Sequence, residues 1–248
     1  QSNIKTNTLR RKIACIKVFY NYLKYQHIIE ENPFNQLRFQ FRTEKILPKT
    51  IPYDILKSIF SYLEQRVVIS KTDYQKQKAE RNLLIISLLL STGIRISELC
   101  HIHLKDINLS NKTLHIIGKG KKERILFLGD QTTFNLLETY INKNGKESND
   151  FLFPGKHSPK PLSEQSVRLI LKRIVEQNSL SKTITPHMFR HSFATMLLDN
   201  DVDIRYIQQI LGHSSISITQ IYTHVSHSKQ KEILSSFNPV SAIHSDKK

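Results

Sequence analysis

A mostly α-helical fold with one small antiparallel β-sheet is predicted by three observations on this sequence. Apolar residues recur at helical spacing along most of the 248-residue chain. One glycine-bearing turn sits between two short apolar runs, and everything after Leu162 reads as helix. Hydrophobic residues at 39% and charged residues at 23% are ordinary globular values, which excludes a disordered basic tail or a low-complexity chain.

The elements follow in order. From Thr8 to Tyr25 the apolar positions Leu9, Ile13, Ile16, Phe19, Tyr20 and Leu23 have helical spacing, with Arg10, Arg11, Lys12, Lys17 and Lys24 between them. This predicts a basic amphipathic helix, stopped by Asn32-Pro33 directly or after one more short helix. Leu47 to Pro52 reads as an extended linker, because each proline disfavours helix at the residue before it. The domain boundary is therefore expected near Lys45, with residues 1–45 in a small N-terminal piece and 46–248 in a larger domain. Pro52 to Leu63 and Ala79 to Leu90 read as helices, the latter nearly all apolar and so a core helix. Gly93 ends it, and a further helix starts just after. Thr113–Ile117 and Arg124–Leu128 flank Gly118-Lys-Gly-Lys-Lys122, a β-hairpin with a cationic tip. Helices are expected over Ser163–Gln177, Thr185–Asn200, Ile204–Leu211 and about Ser226–Ser236.

Lys and Arg number 37 against 21 Asp and Glu, a formal net charge of +16, which makes nucleic acid the first partner to test. Residues 1–45 hold nine Lys/Arg against three Asp/Glu, so charge density is highest there. Cys15 and Cys100 stand far apart and form no CxxC pair, which disfavours a disulfide scaffold and a cysteine-based zinc site. The run Leu83–Leu90 falls far short of the ~20 residues that span a bilayer, and the N-terminus has no apolar signal core. A soluble protein of the reducing cytoplasm is expected, and a chain without an initiating Met suggests a piece of a longer gene product.

Several residues could carry chemistry. Thr185 can cap the helix that begins Thr185-Pro-His-Met-Phe-Arg190, proline suits its first position, and His187 and Arg190 lie three apart on one face. Both side chains can point at one anion, beside free backbone N–H groups. Gly212 ends another helix with His213 just beyond it, and Tyr222 follows. Taken singly, each has a structural reading: a His or Tyr near a helix end is more often a hydrogen-bonder, and an Arg after a glycine turn a salt-bridge partner. Gly118-Lys-Gly-Lys does not match GxxxxGK[ST] and precedes no helix, so a phosphate-binding nucleotide loop is disfavoured.

Together these segments resemble a known constellation. Thr92-Gly-Ile-Arg-Ile-Ser-Glu-Leu99, Gly118-Lys-Gly-Lys-Lys-Glu-Arg124, Pro186-His-Met-Phe-Arg-His-Ser-Phe-Ala-Thr195, Leu211-Gly-His-Ser-Ser and Gln220-Ile-Tyr-Thr-His224 resemble, in order and spacing, the catalytic domain of the tyrosine site-specific recombinases, the phage integrase family. The flavour is that of the Xer recombinases and simple transposon integrases. The resemblance covers the chain from about Pro48 onward and implies a recombinase catalytic domain over 46–248. Residues 1–45 would be the last helices of the family's helical DNA-clamp (core-binding) domain, whose members carry several helices before this point.

What the resemblance implies for the residues is specific. Arg95 and Arg190 clamp the scissile phosphate, His187 and His213 hydrogen-bond its oxygens, and Tyr222 attacks it. Lys119, on the hairpin turn, protonates the departing 5′-oxygen. Cleavage without a metal needs other fixed positive charge on the transition state, which two fork-shaped guanidiniums supply. A tyrosine hydroxyl has a pKa near ~10 and must lose its proton during attack; His187 is the candidate acceptor. The covalent 3′-phosphotyrosine conserves the bond energy, so no ATP, metal or other cofactor is implied. Glu98 reads equally as a buttress of Arg95 or as a solvated helix carboxylate. His101, His103, His191 and His224 receive no catalytic role. Arg10, Arg11, Lys12, Lys17, Lys121 and Lys122 are expected to contact DNA phosphates. The implied partner is double-stranded DNA with paired half-sites, bound by a homotetramer in which Ile233, Leu234 and Phe237 dock a C-terminal helix on a neighbouring subunit; the alternative is that this tail folds back on its own domain. Two readings compete: a non-cleaving sequence-specific DNA-binding protein of the same fold, and a monomeric enzyme resembling type IB topoisomerases. Open as well are integration or excision against dimer resolution or inversion, and the need for an accessory protein or second recombinase.

Overall fold

The computed structural model describes residues 6–37, 49–118, 123–144, 147, 149–155, 159–180, 183–212 and 227–245. The chain divides into two compact units, residues 1–47 and 48–248. It is mostly helical, with one small antiparallel sheet.

In the smaller unit, α1 (Thr6–Tyr25) is a continuous helix. Asn32 stitches the chain back onto it: its amide donates to Asn21 Oδ1 (2.6 Å) and Lys17 O (3.2 Å), while its Oδ1 accepts from Phe34 N (2.9 Å). Arg10, Arg11, Lys12 and Lys17 are exposed. Val18, Phe19, Tyr22 and Tyr25 are exposed too.

In the larger unit, α3 (Asp73–Thr92) is buried from Leu83 to Thr92. A helix apolar on every side must be surrounded, and α2 (Tyr53–Val68), α5 (Gln131–Asn144) and α7 (Pro186–Leu198) pack around it. Each fully buried Leu or Ile of such a core contributes roughly 1.5–3 kcal/mol. α3 starts well before Ala79, because Thr72 Oγ1 accepts from Gln75 N (3.2 Å) and caps it. Gly93 closes it at φ +61, in the left-handed region. A Cβ on Gly93 would lie 2.5 Å from Phe193 Cδ1 and 2.7 Å from Leu211 Cδ2, so this turn admits only glycine. That close approach sets α7 and α8 (Ile204–Leu211) against the entry to α4 (Ile96–Cys100).

The expected hairpin is present and gains a third strand: β1 (Ile107–Asn108), β2 (Thr113–Ile117) and β3 (Glu123–Phe127) pair in that order, all antiparallel. Thr113 pairs with Phe127 and Ile117 with Glu123. α6 (Glu164–Gln177) follows, capped by Ser163 Oγ accepting from Ser166 N (3.1 Å).

Two helices were not anticipated, α5 and α10 (Pro239–Ser245). After α9 (His227–Ser236) the tail of this single chain packs on its own domain. Ile233, Leu234, Val240 and Ile243 are buried in that core, and only Phe237 of the expected docking residues stays exposed, at 42%. The Leu234 carbonyl lies 2.1 Å from where a Cβ on Gly129 would stand. Asn238 donates to Ser91 O (3.1 Å), Tyr53 Oη to Ala242 O (2.9 Å) and Ser241 Oγ to Asp130 Oδ1 (2.5 Å). Apolar burial and hydrogen bonds with α2, α3 and Asp130 hold the tail on this domain.

Candidate active site

Pro186 opens α7, where the missing N–H costs nothing. Thr185 holds the N-cap position and its carbonyl accepts from Met188 N (3.0 Å), but its side chain makes no cap bond, contrary to expectation. One turn in, Arg190 falls on the same buried side as Phe189 and Phe193. It is 7% exposed. Its Nη1 donates to Gly93 O (2.7 Å) and its Nη2 to Leu211 O (2.6 Å). Among the described residues no carboxylate pairs with it. Burial, followed by the like charges of Arg95 and Arg124, brings its pKa down to about 10, against a smaller opposing pull from Glu98. It remains a cation at neutral pH, and one short of negative partners.

Arg95 is the N-cap of α4. Its Nη2 donates to Gly212 O (3.2 Å), so the two guanidiniums hold consecutive carbonyls at the C-terminus of α8. Those carbonyls have no partner within the helix and carry its negative dipole end, which is why cations settle there. Gly212, at φ +65, turns the chain out of α8.

Glu98 organises the opposite side. Its Oε2 accepts from Arg95 N (3.0 Å) and its Oε1 from Arg95 Nη1 (2.9 Å), while Arg124 Nη1 and Nη2 reach Oε1 (2.9 Å) and Oε2 (2.7 Å) as a fork. The residue is 7% exposed, which removes the reading of a solvated carboxylate. Burial alone would push its pKa up; the bonds and charge of Arg124, then those of Arg95, outweigh this and hold it below its ordinary value. Arg95 and Arg190, backed by the Glu98–Arg124 pair, make a net-cationic wall whose donors suit an oxyanion such as a phosphodiester.

Of the residues singled out in the sequence, Arg95, Glu98 and Arg190 come together here. His187 is exposed on the first turn of α7; burial, then the neighbouring charges of His187 and Arg190, lower the pKa of His191. Lys119, Lys121, Lys122, His213, Tyr222 and His224 lie outside the described residues. Arg10, Arg11, Lys12 and Lys17 belong to the other unit. His101 Nδ1 meets Ser97 O (2.7 Å), and His103 stacks on Phe151 at 4.3 Å between ring centres, both structural placements. No group of three His, Cys, Asp or Glu among the described residues is arranged for a metal, and no described helix is long and apolar enough to cross a membrane. Arg124 was missed as a site residue. Its signal was legible: strand alternation puts it on the same face as Leu126 and Leu128, where a charge must find a buried partner.

Residues 57–229 match the model of the phage integrase family. With that match and this wall of arginines, the chain belongs to the phage integrase family, the tyrosine recombinases, enzymes that cleave and rejoin DNA. A tyrosine recombinase of Agathobacter rectalis is 51% identical over 244 residues, covering 97% of this chain and 79% of the relative. Tyrosine recombinase XerC of Bacillus subtilis is 35% identical over 246 residues, covering 96% and 77%. Among solved structures, the XerH site-specific recombinase bound to difH substrate in a pre-cleavage complex aligns with a TM-score of 0.66 at 25% identity, over 95% of this chain and 66% of that one. The Tn1549 transposon integrase in complex with circular intermediate DNA shares the fold, with a TM-score of 0.61 at 22% identity over 93% and 79%.

Proposed function

We propose that this chain is a site-specific DNA recombinase that cuts and rejoins strands through a 3′-phosphotyrosyl intermediate, in an Xer-like or transposon-integrase role. The observation that carries the reading is the pair of guanidiniums on consecutive carbonyls, Leu211 O and Gly212 O, one of them buried without a carboxylate partner among the described residues. A scissile phosphate supplies the anion that Arg190 lacks. Arg190 and Arg95 hold its nonbridging oxygens as preorganised donors, and His187 and His213 add two more. The Tyr222 oxygen forms a bond to phosphorus as the bond to the 5′-oxygen breaks; the phenolic proton passes to His187, and Lys119 gives a proton to the leaving oxygen. A 5′-hydroxyl from a second duplex reverses the step, so no net bond energy is spent.

Residues 46–248 act as the catalytic domain, and residues 1–45 as part of a DNA clamp. Arg10, Arg11, Lys12 and Lys17 on α1, with Lys121 and Lys122 of the Gly118–Lys122 segment, bind backbone phosphates and make affinity fall steeply with salt. The substrate is duplex DNA with paired half-sites, worked by a homotetramer so that each active site cuts one strand. The test is a labelled, nicked suicide duplex followed by a denaturing gel. A protein–DNA adduct that disappears in Tyr222→Phe, with DNA binding retained, is the expected result. Tight binding with no adduct on any candidate site would overturn it in favour of a non-cleaving DNA-binding protein.

A further inference from the structure

We infer that Arg124 is a positioning residue of the active site, holding Arg95 through Glu98 and supporting the Gly212 turn from beneath; the inference deepens the recombinase reading and rests on it for its catalytic consequence. Arg124 enters from a different element, β3, where it pairs across the ladder with Ile116. Its side chain is 14% exposed and faces Glu98, itself 4% exposed in its side chain. Both terminal nitrogens are used on that carboxylate, one on each oxygen. The carboxylate's remaining capacity goes to Arg95, to its backbone N–H and to Nη1. Arg95 is thus left with Nη2 aimed at Gly212 O.

The second contact is steric. A Cβ placed on Gly212 would lie 3.0 Å from Arg124 Cδ and 3.3 Å from its Nε and Nη1, so the turn rests directly on the guanidinium stem. The Nε–H is buried there with no hydrogen-bond partner among the described residues. An arginine that gives up one donor in a dry place, yet keeps its fork on a shared carboxylate, is held for its shape and charge. Without Arg124, Glu98 would be held by Arg95 alone, through its backbone N–H and Nη1. Arg95 and the turn leading into His213 would both lose a support. Because β3 leaves the loop that carries Lys119, the same side chain ties the hairpin to the arginine wall.

The experiment uses the full chain, with Arg124→Lys as the main variant because it keeps charge and stem but loses the fork, and Arg124→Met as the second. Arginine-labelled protein reports directly on Arg95, assigned by the signal lost in Arg95→Lys. Separate Nη resonances, showing restricted guanidinium rotation, are expected in wild type and merged ones in the folded Arg124 variants. In single-turnover cleavage of the suicide duplex, adduct formation should fall about 10- to 100-fold with DNA affinity unchanged, as for supporting partners of other active-site ligands. The double variant Arg124→Lys, Glu98→Gln should be no slower than the slower single one. Unchanged Arg95 resonances in a folded variant, or adduct at the wild-type rate, would overturn the inference. If wild type itself forms no Tyr222-dependent adduct, the recombinase reading fails, and the resonances alone still decide whether Arg124 holds Arg95.

Discussion

Arg95 and Arg190 meet the same helix end in opposite ways. The Arg95 side chain is 36% exposed and is paired with a carboxylate that it shares with Arg124. Arg190 is 7% exposed and, among the described residues, holds only neutral carbonyls. One guanidinium is reachable and partly neutralised; the other is desolvated in advance, so its pull on an anion is not diluted by water or by a counter-ion. The difference teaches that binding and positioning are divided. Glu98 keeps Arg95 in place at the cost of some of its field, while the folded core keeps Arg190 in place at the cost of burying a charge. In the proposed reaction, these two fixed guanidiniums with different surroundings would hold one phosphate from a deep side and a shallow side.

The largest effect should separate the two directly. Arg190→Lys is expected to lower single-turnover adduct formation about 1,000-fold, the upper range for losing a preorganised donor, and Arg95→Lys about 100-fold, with DNA affinity little changed in both. Equal losses, or a larger one at Arg95, would break the comparison. Next comes the turn that gives Arg190 its carbonyl. Gly93→Ala forces a Cβ into Phe193 and Leu211 at a left-handed backbone and should cost about 3 kcal/mol in denaturant unfolding. A loss under about 1 kcal/mol would show that the turn is not held as tightly as its contacts require.

Glu98→Gln should cost about 3 kcal/mol at neutral pH, because it leaves buried guanidiniums without their carboxylate. Its pH dependence fixes the sign. The Glu98 pKa is depressed in the folded protein, so its contribution is complete above the ordinary carboxylate value of about 4.3 and fades as pH falls through the lower folded value. The stability gap between wild type and Glu98→Gln should therefore narrow on acidification below pH about 4. A gap independent of pH would remove the charge from the explanation. The smallest effect is expected at Gly212→Ala, about 1–2 kcal/mol for its φ of +65, since the neighbouring Arg124 stem can yield by a few tenths of an ångström.

Legibility in the sequence followed the same division. α1, α2, the apolar half of α3, the hairpin and α6 to α8 were readable, because periodic apolar residues, glycine stops and serine or threonine caps are local signals. α5 was not, although Asp130 Oδ2 accepts from Thr133 N (2.6 Å) as a cap; its Thr and Asn content mutes helix propensity, and tertiary packing on α3 decides it. α10 is likewise set by tertiary contacts, where His244 Nε2 meets Glu64 Oε1 (2.9 Å). Arg95 and Arg190 were singled out through motif segments, but their different surroundings were not legible. Burial, the carbonyls of Gly93 and Leu211, and the Arg124 fork all come from segments far apart in the chain, and no periodicity records which residues will face one another.

The chemistry itself is tested most directly by mass spectrometry of the adduct formed on a nicked suicide duplex, digested with protease and nuclease. The expected result is a peptide containing Tyr222 that carries a nucleotide through its 3′-phosphate, from a reaction run with chelator and without ATP. A nucleotide on any other side chain, or one attached through a 5′-phosphate, would contradict a phosphate held between Arg190 and Arg95 for attack by Tyr222.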